Sequence, residues 1–328
     1  MQIQSVSARA LRAGRRRYAL RRFDALGRGE EPVRPLCLVY GNCQAEPIRA
    51  LLASSPEFAN RYEALPMPAV HEIPPSRLPA LQTIIRASSL IIAQPIKDDY
   101  RGLPIGTNQI AALAPRDCIV LRFQAMHYDA LYPFQFNVLG DDRLGISAPL
   151  TAYHDLRTLS AAARGFSTNS AMHWLSHLRP SQHALRTVAD HAGALIRTRD
   201  STTDIRLFDS IVARPGAGPP SFFTVNHPSR LVLQRIADSI HEILGLTAAT
   251  NEVDGRQPLG QYRTPIEQCV IDALGLSLEP THDWVIDGRR VSTAHIVRRH
   301  LAWYRRRPDV VRAALDAHAD RIATFGLV

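Results

Sequence analysis

The sequence predicts an α/β fold. A parallel sheet is sandwiched between helices, with a mostly helical second half and a helical C-terminal extension. Three observations predict it. Residues 36–40, 89–94 and 117–123 are short apolar runs that read as buried strands. Stretches with helical spacing separate them, the pattern of a parallel sheet covered on both faces. Beyond residue 150, apolar residues recur mainly at helical intervals.

In chain order, residues 1–34 form a basic arm. They hold nine arginines against Asp24, Glu30 and Glu31, so +6 of the formal +9 charge lies here. Leu11, Tyr18, Leu20, Phe23 and Leu26 sit among the arginines. That mixture suits either a basic amphipathic helix or a solvated arm, and residues 9–28 are the stretch that would meet an anionic membrane surface. The run Leu36-Cys37-Leu38-Val39-Tyr40 is the first strand. Gly41 turns the chain into a helix over 46–54, with Pro47 in its first turn. Residues 56–80 are proline-rich loop with a short strand within 62–66, and His71 reads as a surface histidine. A helix over 78–87 leads to the strand 89–94, and the third strand covers 117–123.

Residues 150–210 read as helix, including Tyr153-His154-Asp155. Residues 214–221 are a loop, and Phe222-Phe223-Thr224-Val225 a short apolar run. Asn226-His227-Pro228 is then a loop-to-helix junction before a helix from about Ser229 to Leu244. Residues 247–264 are polar loop, and 265–328 read as several short helices. Arg298, Arg299 and Arg305 to Arg307 interleave with Trp303 and Tyr304. A solvated helix face over core aromatics explains that stretch better than a nucleic-acid site.

Composition sets limits. A chain of 328 residues has room for one large domain or two ordinary ones, and 45% apolar with 21% charged residues is globular. No apolar run approaches the ~20 residues of a membrane span, and the N-terminus lacks a secretory signal. The four cysteines, 37, 43, 118 and 269, are irregularly spaced and read as reduced thiols, which places the chain in the cytoplasm, with the arm available for the inner membrane face. His173 and His177 have helical metal-ligand spacing but no third ligand, so no metal is expected. Lys97 is the single lysine beside 38 arginines.

In a parallel sheet, ligands sit beyond the carboxyl ends of the strands. Those ends carry Gly41-Asn42-Cys43-Gln44, then Gln94 through Gly102, then Arg122 through Tyr128 with Tyr132-Pro133. Three such clusters suggest a shared cleft. Cys43 stands where a helix N-terminus favours a thiolate and where backbone N–H groups can hold an oxyanion.

With these motifs assembled, the chain resembles the WcbI family of capsular polysaccharide biosynthesis proteins. The resemblance rests on Val39-Tyr40-Gly41-Asn42-Cys43-Gln44, Gln94-Pro95-Ile96 with Asp99-Tyr100-Arg101-Gly102, Arg122-Phe123 with Tyr132-Pro133, Tyr153-His154-Asp155 and Thr224-Val225-Asn226-His227-Pro228. It implies an α/β fold of SGNH/flavodoxin-like outline over residues 35–246, between the arm and a helical extension over 247–328. It also implies coenzyme A binding and acetyl transfer to a polysaccharide or its sugar precursor. By analogy with SGNH hydrolases, Cys43 takes the serine nucleophile's place and His227 the base's, while Thr224 stands where their orienting aspartate would be. On this reading Cys43 and His227 meet in the cleft, and Cys43 either carries the acyl group or only lines the pocket. Asn42, Gln44 and Asn226 position the oxyanion and the base. Gly41, Lys97, Tyr100, Arg122, Tyr128 and His154 bind coenzyme A. Two rivals are an SGNH-like esterase or deacylase, and a non-enzymatic basic binding protein.

Overall fold

A computed structural model describes residues 20–138, 149–212, 219–247 and 257–327. Residues 1–19, most of the 214–221 loop and half of the 247–264 segment lie outside the described residues. The chain divides into two units, Met1–Met126 with Thr198–Leu207 and Arg230–Arg256, and His127–Arg197 with Phe208–Ser229 and Gln257–Val328.

The first unit opens with a helical segment, α1 (20–27). Then follow β1 (Leu36–Tyr40), α2 (Ala45–Ser54), α3 (Pro56–Arg61), β2 (Glu63–Leu65), α4 (Leu78–Arg86), β3 (Ser88–Ala93), α5 (Thr107–Leu113) and β4 (Ile119–Arg122). The sheet order is β2-β1-β3-β4, and every pairing is parallel. All five β1 residues are buried, which a strand covered on both faces requires. Leu36, Leu38 and Tyr40 share a core with Ile91, Ala93, Leu81, Ile84, Ile85 and Ile110. On the other side, α2 packs on β1 and against the later helix Arg230–Ile243.

Two expectations for this unit change. The end of the basic arm is not a detached helix, because Phe23 and Leu26 are buried in the core and Arg22 pairs with Glu63 at 2.7 Å. The third strand is shorter than 117–123. Its edge continues through Phe123, which bridges to Ile205, while the Arg122 N–H donates to Asp204 Oδ2 at 2.6 Å.

The chain leaves β1 for β2 on one side and then crosses to β3 on the other. The β1/β3 boundary is therefore the switch point of the sheet, where open α/β folds leave a crevice beyond the strand ends. The register puts Tyr40 beside Ala93 and Ala93 beside Arg122, so three strands end level.

The second unit pairs β5 (Gln135–Asn137) with β6 (Tyr153–Asp155) antiparallel. The helices α6 (Leu156–Ala163), α7 (Thr168–His177), α8 (Gln182–Asp200) and α9 (Phe208–Ile211) follow, α8 ending in the first unit. Next come the hairpin strands β7 (Phe222–Thr224) and β8 (His227–Pro228), then α10 (Arg230–Ile243) of the first unit. The tail holds β9 (Tyr262–Arg263), α11 (Gln268–Leu274), β10 (Asp283–Ile286), β11 (Arg289–Ser292), α12 (Thr293–Tyr304), α13 (Pro308–Ala317) and α14 (Ala319–Thr324). Phe136, Leu156, Leu159, Trp303, Tyr304 and Ile322 form its main core.

Tyr153-His154-Asp155 is a strand rather than helix, and Asp155 caps α6 by accepting the Arg157 and Thr158 N–H groups. The tail is not helical alone. Its three-stranded antiparallel sheet, β11-β10-β9, turns at Asp287-Gly288, both at positive φ (49° and 77°). An Asp-Gly pair between apolar runs is the sequence signal for such a hairpin. Trp303 and Tyr304 are buried, so the arginine-aromatic stretch is a solvated face over core aromatics.

Candidate functional site

The turn after β1 is held by side chains from the neighbouring strand ends. Gln94 Oε1 accepts the Asn42 N–H at 2.8 Å, and Gln94 Nε2 donates to Gln44 Oε1 at 2.9 Å. The fully buried Gln44 side chain also accepts the Met126 N–H at 2.9 Å and donates to the Met126 carbonyl at 2.8 Å. Gly41 is required by this arrangement, since a Cβ there would lie 2.5 Å from Gln94 Oε1. Three strand ends are thus tied through two glutamines, with Cys43 between the tied residues.

Two of the N–H groups expected at an oxyanion hole are bonded within the turn. The Gln44 N–H is donated to Asn42 Oδ1 at 2.9 Å and the Ala45 N–H to the Asn42 carbonyl at 3.0 Å. The Gln44 amide is likewise spent on Met126 and Gln94. Asn42 Oδ1 and the Gln44 side chain therefore help shape the turn.

Cys43 is exposed as a residue, yet its sulfur is closely surrounded by protein. Burial, reinforced by Glu72, raises the thiol above its ordinary pKa, and the Cys43 backbone N–H only partly offsets this. Desolvation thus works against the expected thiolate.

The segment after β3 is tightly built. Asp99 and Arg101 have positive φ (53° and 57°). Gln109 secures the bend, accepting the Asp99 and Gly106 N–H groups and donating to Asp99 Oδ1 at 2.8 Å. Lys97 is exposed and makes no ion pair among the described residues, Tyr100 is half-buried against the core, and the Arg122 guanidinium makes a long 3.4 Å bond to Asn108.

His227 lies in the second unit, in a two-residue hairpin where it faces Thr224 across β7 and β8. It is a hairpin residue more than a loop-to-helix junction. Tyr153 donates to Asn226 Oδ1 at 2.7 Å, and the Thr224 hydroxyl donates to the same oxygen at 3.2 Å. The rings of Tyr153 and Tyr262 stand 5.5 and 6.1 Å from the imidazole. Burial lowers the His227 pKa to about 4 against a smaller opposing effect of the Leu259 backbone, so the ring is neutral at pH 7. Among the described residues no aspartate bonds to it. Asn226 and Thr224 orient each other.

Tyr128 and His154 are not open binding groups. Tyr128 is 8% exposed, with its ring 5.5 Å from Phe222. His154 is fully buried, bonded through Nδ1 to the Tyr304 hydroxyl at 2.5 Å and stacked 4.0 Å from His300. His173 and His177 are exposed neighbours, and among the described residues no group of three or more metal-ligating side chains is placed for a metal. No helix among them is long and apolar enough to cross a membrane. A cavity of about 410 Å³ opens in the second unit beside Tyr132, Arg157, Glu267 and Trp284, and His227 does not line it.

Sequence reasoning missed the glutamine clamp and the Asp204 edge contact. It also missed a hydrogen bond between His127 Nε2 and Asp129 Oδ1 at 2.9 Å. Only the last left a local trace, a histidine and an aspartate two apart just beyond a strand end.

Comparison with known proteins adds identity to this geometry. The family model described as "Polysaccharide biosynthesis enzyme WcbI" matches residues 36–249. A solved structure of WcbI, described as a novel polysaccharide biosynthesis enzyme in its native form without a disulfide bond between coenzyme A and a cysteine, is similar at a TM-score of 0.74. It is 22% identical, and the alignment covers 90% of this chain and 98% of that one. No curated protein matches significantly.

Proposed function

The chain belongs to the WcbI family of polysaccharide biosynthesis enzymes, and on that premise we propose that it transfers an acetyl group from coenzyme A to a hydroxyl of a polysaccharide or its sugar precursor. The observation that carries this reading is the clamped turn at Cys43, at the switch point where three parallel strands end level. A solved relative is described with coenzyme A and a cysteine, and Cys43 is the cysteine this chain offers at such a place.

The residues fit a thioester donor. Lys97 and Arg122 supply cations near the strand ends for its phosphates, and Tyr100 supplies an aromatic face. Gly41 keeps the turn low. A neutral, closely surrounded thiol suits contact with the sulfur end of the donor better than attack on it. We therefore assign Cys43 a lining role. His227 lies in the second unit, where burial penalises the charge it would gain by keeping a proton. Asn226, fixed by Tyr153, holds that hairpin in place. Coenzyme A supplies the activated acyl group, and the protein binds, orients and excludes water.

The test is thiol release from acetyl-coenzyme A in the presence of carbohydrate acceptors, with Cys43→Ala beside the wild type. Acceptor-dependent release, retained at a reduced rate in Cys43→Ala, supports the reading. Acyl removal from acetylated sugars without any use of coenzyme A would move the protein to the esterase class.

A further inference from the structure

The cavity of about 410 Å³ is left unused by the chemistry above. Every residue lining it belongs to the second unit, so it is a site of that unit alone. Its walls come from β6, α6, α7, α11, β10 and α12 and the segments beside them. Its volume falls in the range of about 300–1,000 Å³ usual for small-molecule sites.

One wall is a fixed polar array. The Arg157 guanidinium donates to Asp155 Oδ2 at 2.6 Å, to Glu267 Oε1 at 2.5 Å and to Glu267 Oε2 at 3.0 Å. It also lies 4.0 Å over the Phe134 ring, so both its plane and its edge are held. Burial works against its charge, and the two carboxylates more than offset that. Asp155 is spent on capping α6 and on Arg157. Glu267 is freer. Its side chain is 37% exposed against 15% for Arg157, and Oε1 takes one hydrogen bond of the two a carboxylate oxygen can accept. The rest of the lining is largely apolar, with Leu175, Trp284 and Ile296 among it. His154 also lines the cavity, and its Nε2 has no hydrogen-bond partner among the described residues. A buried ring nitrogen left unpaired is uncommon where nothing polar reaches it.

Two properties follow. The array holds one more carboxylate than guanidinium, so the wall disfavours anions, phosphorylated ligands included. An aromatic and aliphatic lining beside a fixed hydrogen-bond acceptor suits a molecule with an apolar face and a hydroxyl edge, which is the chemistry of a sugar ring. We propose that this cavity binds one uncharged sugar unit of the polysaccharide acceptor, with Glu267 accepting from its hydroxyls and Trp284 covering its C–H face. The inference rests on the carbohydrate half of the reading above and is independent of acetyl transfer.

The experiment is saturation-transfer NMR titration of the full chain, without coenzyme A, with the methyl glycosides of glucose, galactose and mannose, the disaccharides maltose and lactose, and methyl glucuronide as the anionic counterpart of methyl glucoside. Ser176 is exposed on α7 and lines the cavity, so Ser176→Trp should fill the space and keep the wild-type melting temperature. At least one neutral sugar should bind saturably to the wild type and on the order of tenfold more weakly to Ser176→Trp. Methyl glucuronide should bind more weakly than methyl glucoside, and Glu267→Gln should narrow that difference. No binding of any neutral sugar, equal binding to the wild type and a folded Ser176→Trp, or a glucuronide that binds as well as the glucoside overturns the inference. Sugar binding lost in Ser176→Trp, in a protein that binds no coenzyme A, upholds the inference and overturns the acetyl-transfer reading alone.

Discussion

Gln44 and Gln94 join side chain to side chain, Gln94 Nε2 donating to Gln44 Oε1 at 2.9 Å, and through this bond three parallel strand ends share one buried network. The network spends polar groups on either side of Cys43 on structure. Breaking it strands several donors and acceptors at once. Gln94→Ala is expected to cost on the order of 2–4 kcal/mol, since each unpaired buried group costs ~1–3 kcal/mol. Chemical denaturation reads this, and a cycle with Gln44→Ala should be strongly non-additive.

Gly41→Ala tests the same network by space instead of bonding. The added carbon would meet Gln94 Oε1 at 2.5 Å, so Gln94 must move and release Asn42. The variant should be destabilised by about 1–3 kcal/mol. A midpoint equal to the wild type would show that the turn does not depend on close approach.

The raised pKa of Cys43 predicts slow alkylation near neutral pH, with the rate climbing above the ordinary cysteine range. Glu72→Gln removes a charge that disfavours the thiolate and should speed the reaction at fixed pH. Iodoacetamide kinetics followed by peptide mass spectrometry isolate Cys43 from Cys118 and Cys269. Rapid labelling at pH 7 would restore the thiolate reading.

His227 and His300 both have pKa values lowered to about 4, chiefly by burial. A histidine ordinarily near 6.5 then binds its proton more readily in the unfolded chain. Their contribution is therefore complete above pH 6.5 and is lost as pH falls toward 4, by up to ~1.4 kcal/mol per pH unit per group. Urea titrations between pH 7 and pH 4 should show this slope, and His300→Phe should flatten it. An unchanged slope in that variant would remove His300 from the account.

The sheet was legible in the sequence because a parallel strand buried on both faces needs a continuous apolar run, and residues 36–40 and 90–93 are such runs. Their end loops were legible for the same reason, since polar residues must resume there. The β10–β11 hairpin carried its signal in Asp287-Gly288, overshadowed by the helical spacing on either side. Site detail was not legible. Gln44 and Gln94 look like substrate groups until their mutual bond is seen, and no local pattern links residues fifty apart. His154 shows the converse, a motif residue whose stacking partner His300 lies far along the chain and takes it into the core.

Coenzyme A binding is the claim on which the rest depends. Calorimetric titration with coenzyme A and acetyl-coenzyme A should show saturable binding to the wild type and at least tenfold weaker binding to a Lys97→Ala, Arg122→Ala variant that keeps the wild-type melting temperature. No heat of binding with either ligand would contradict the account.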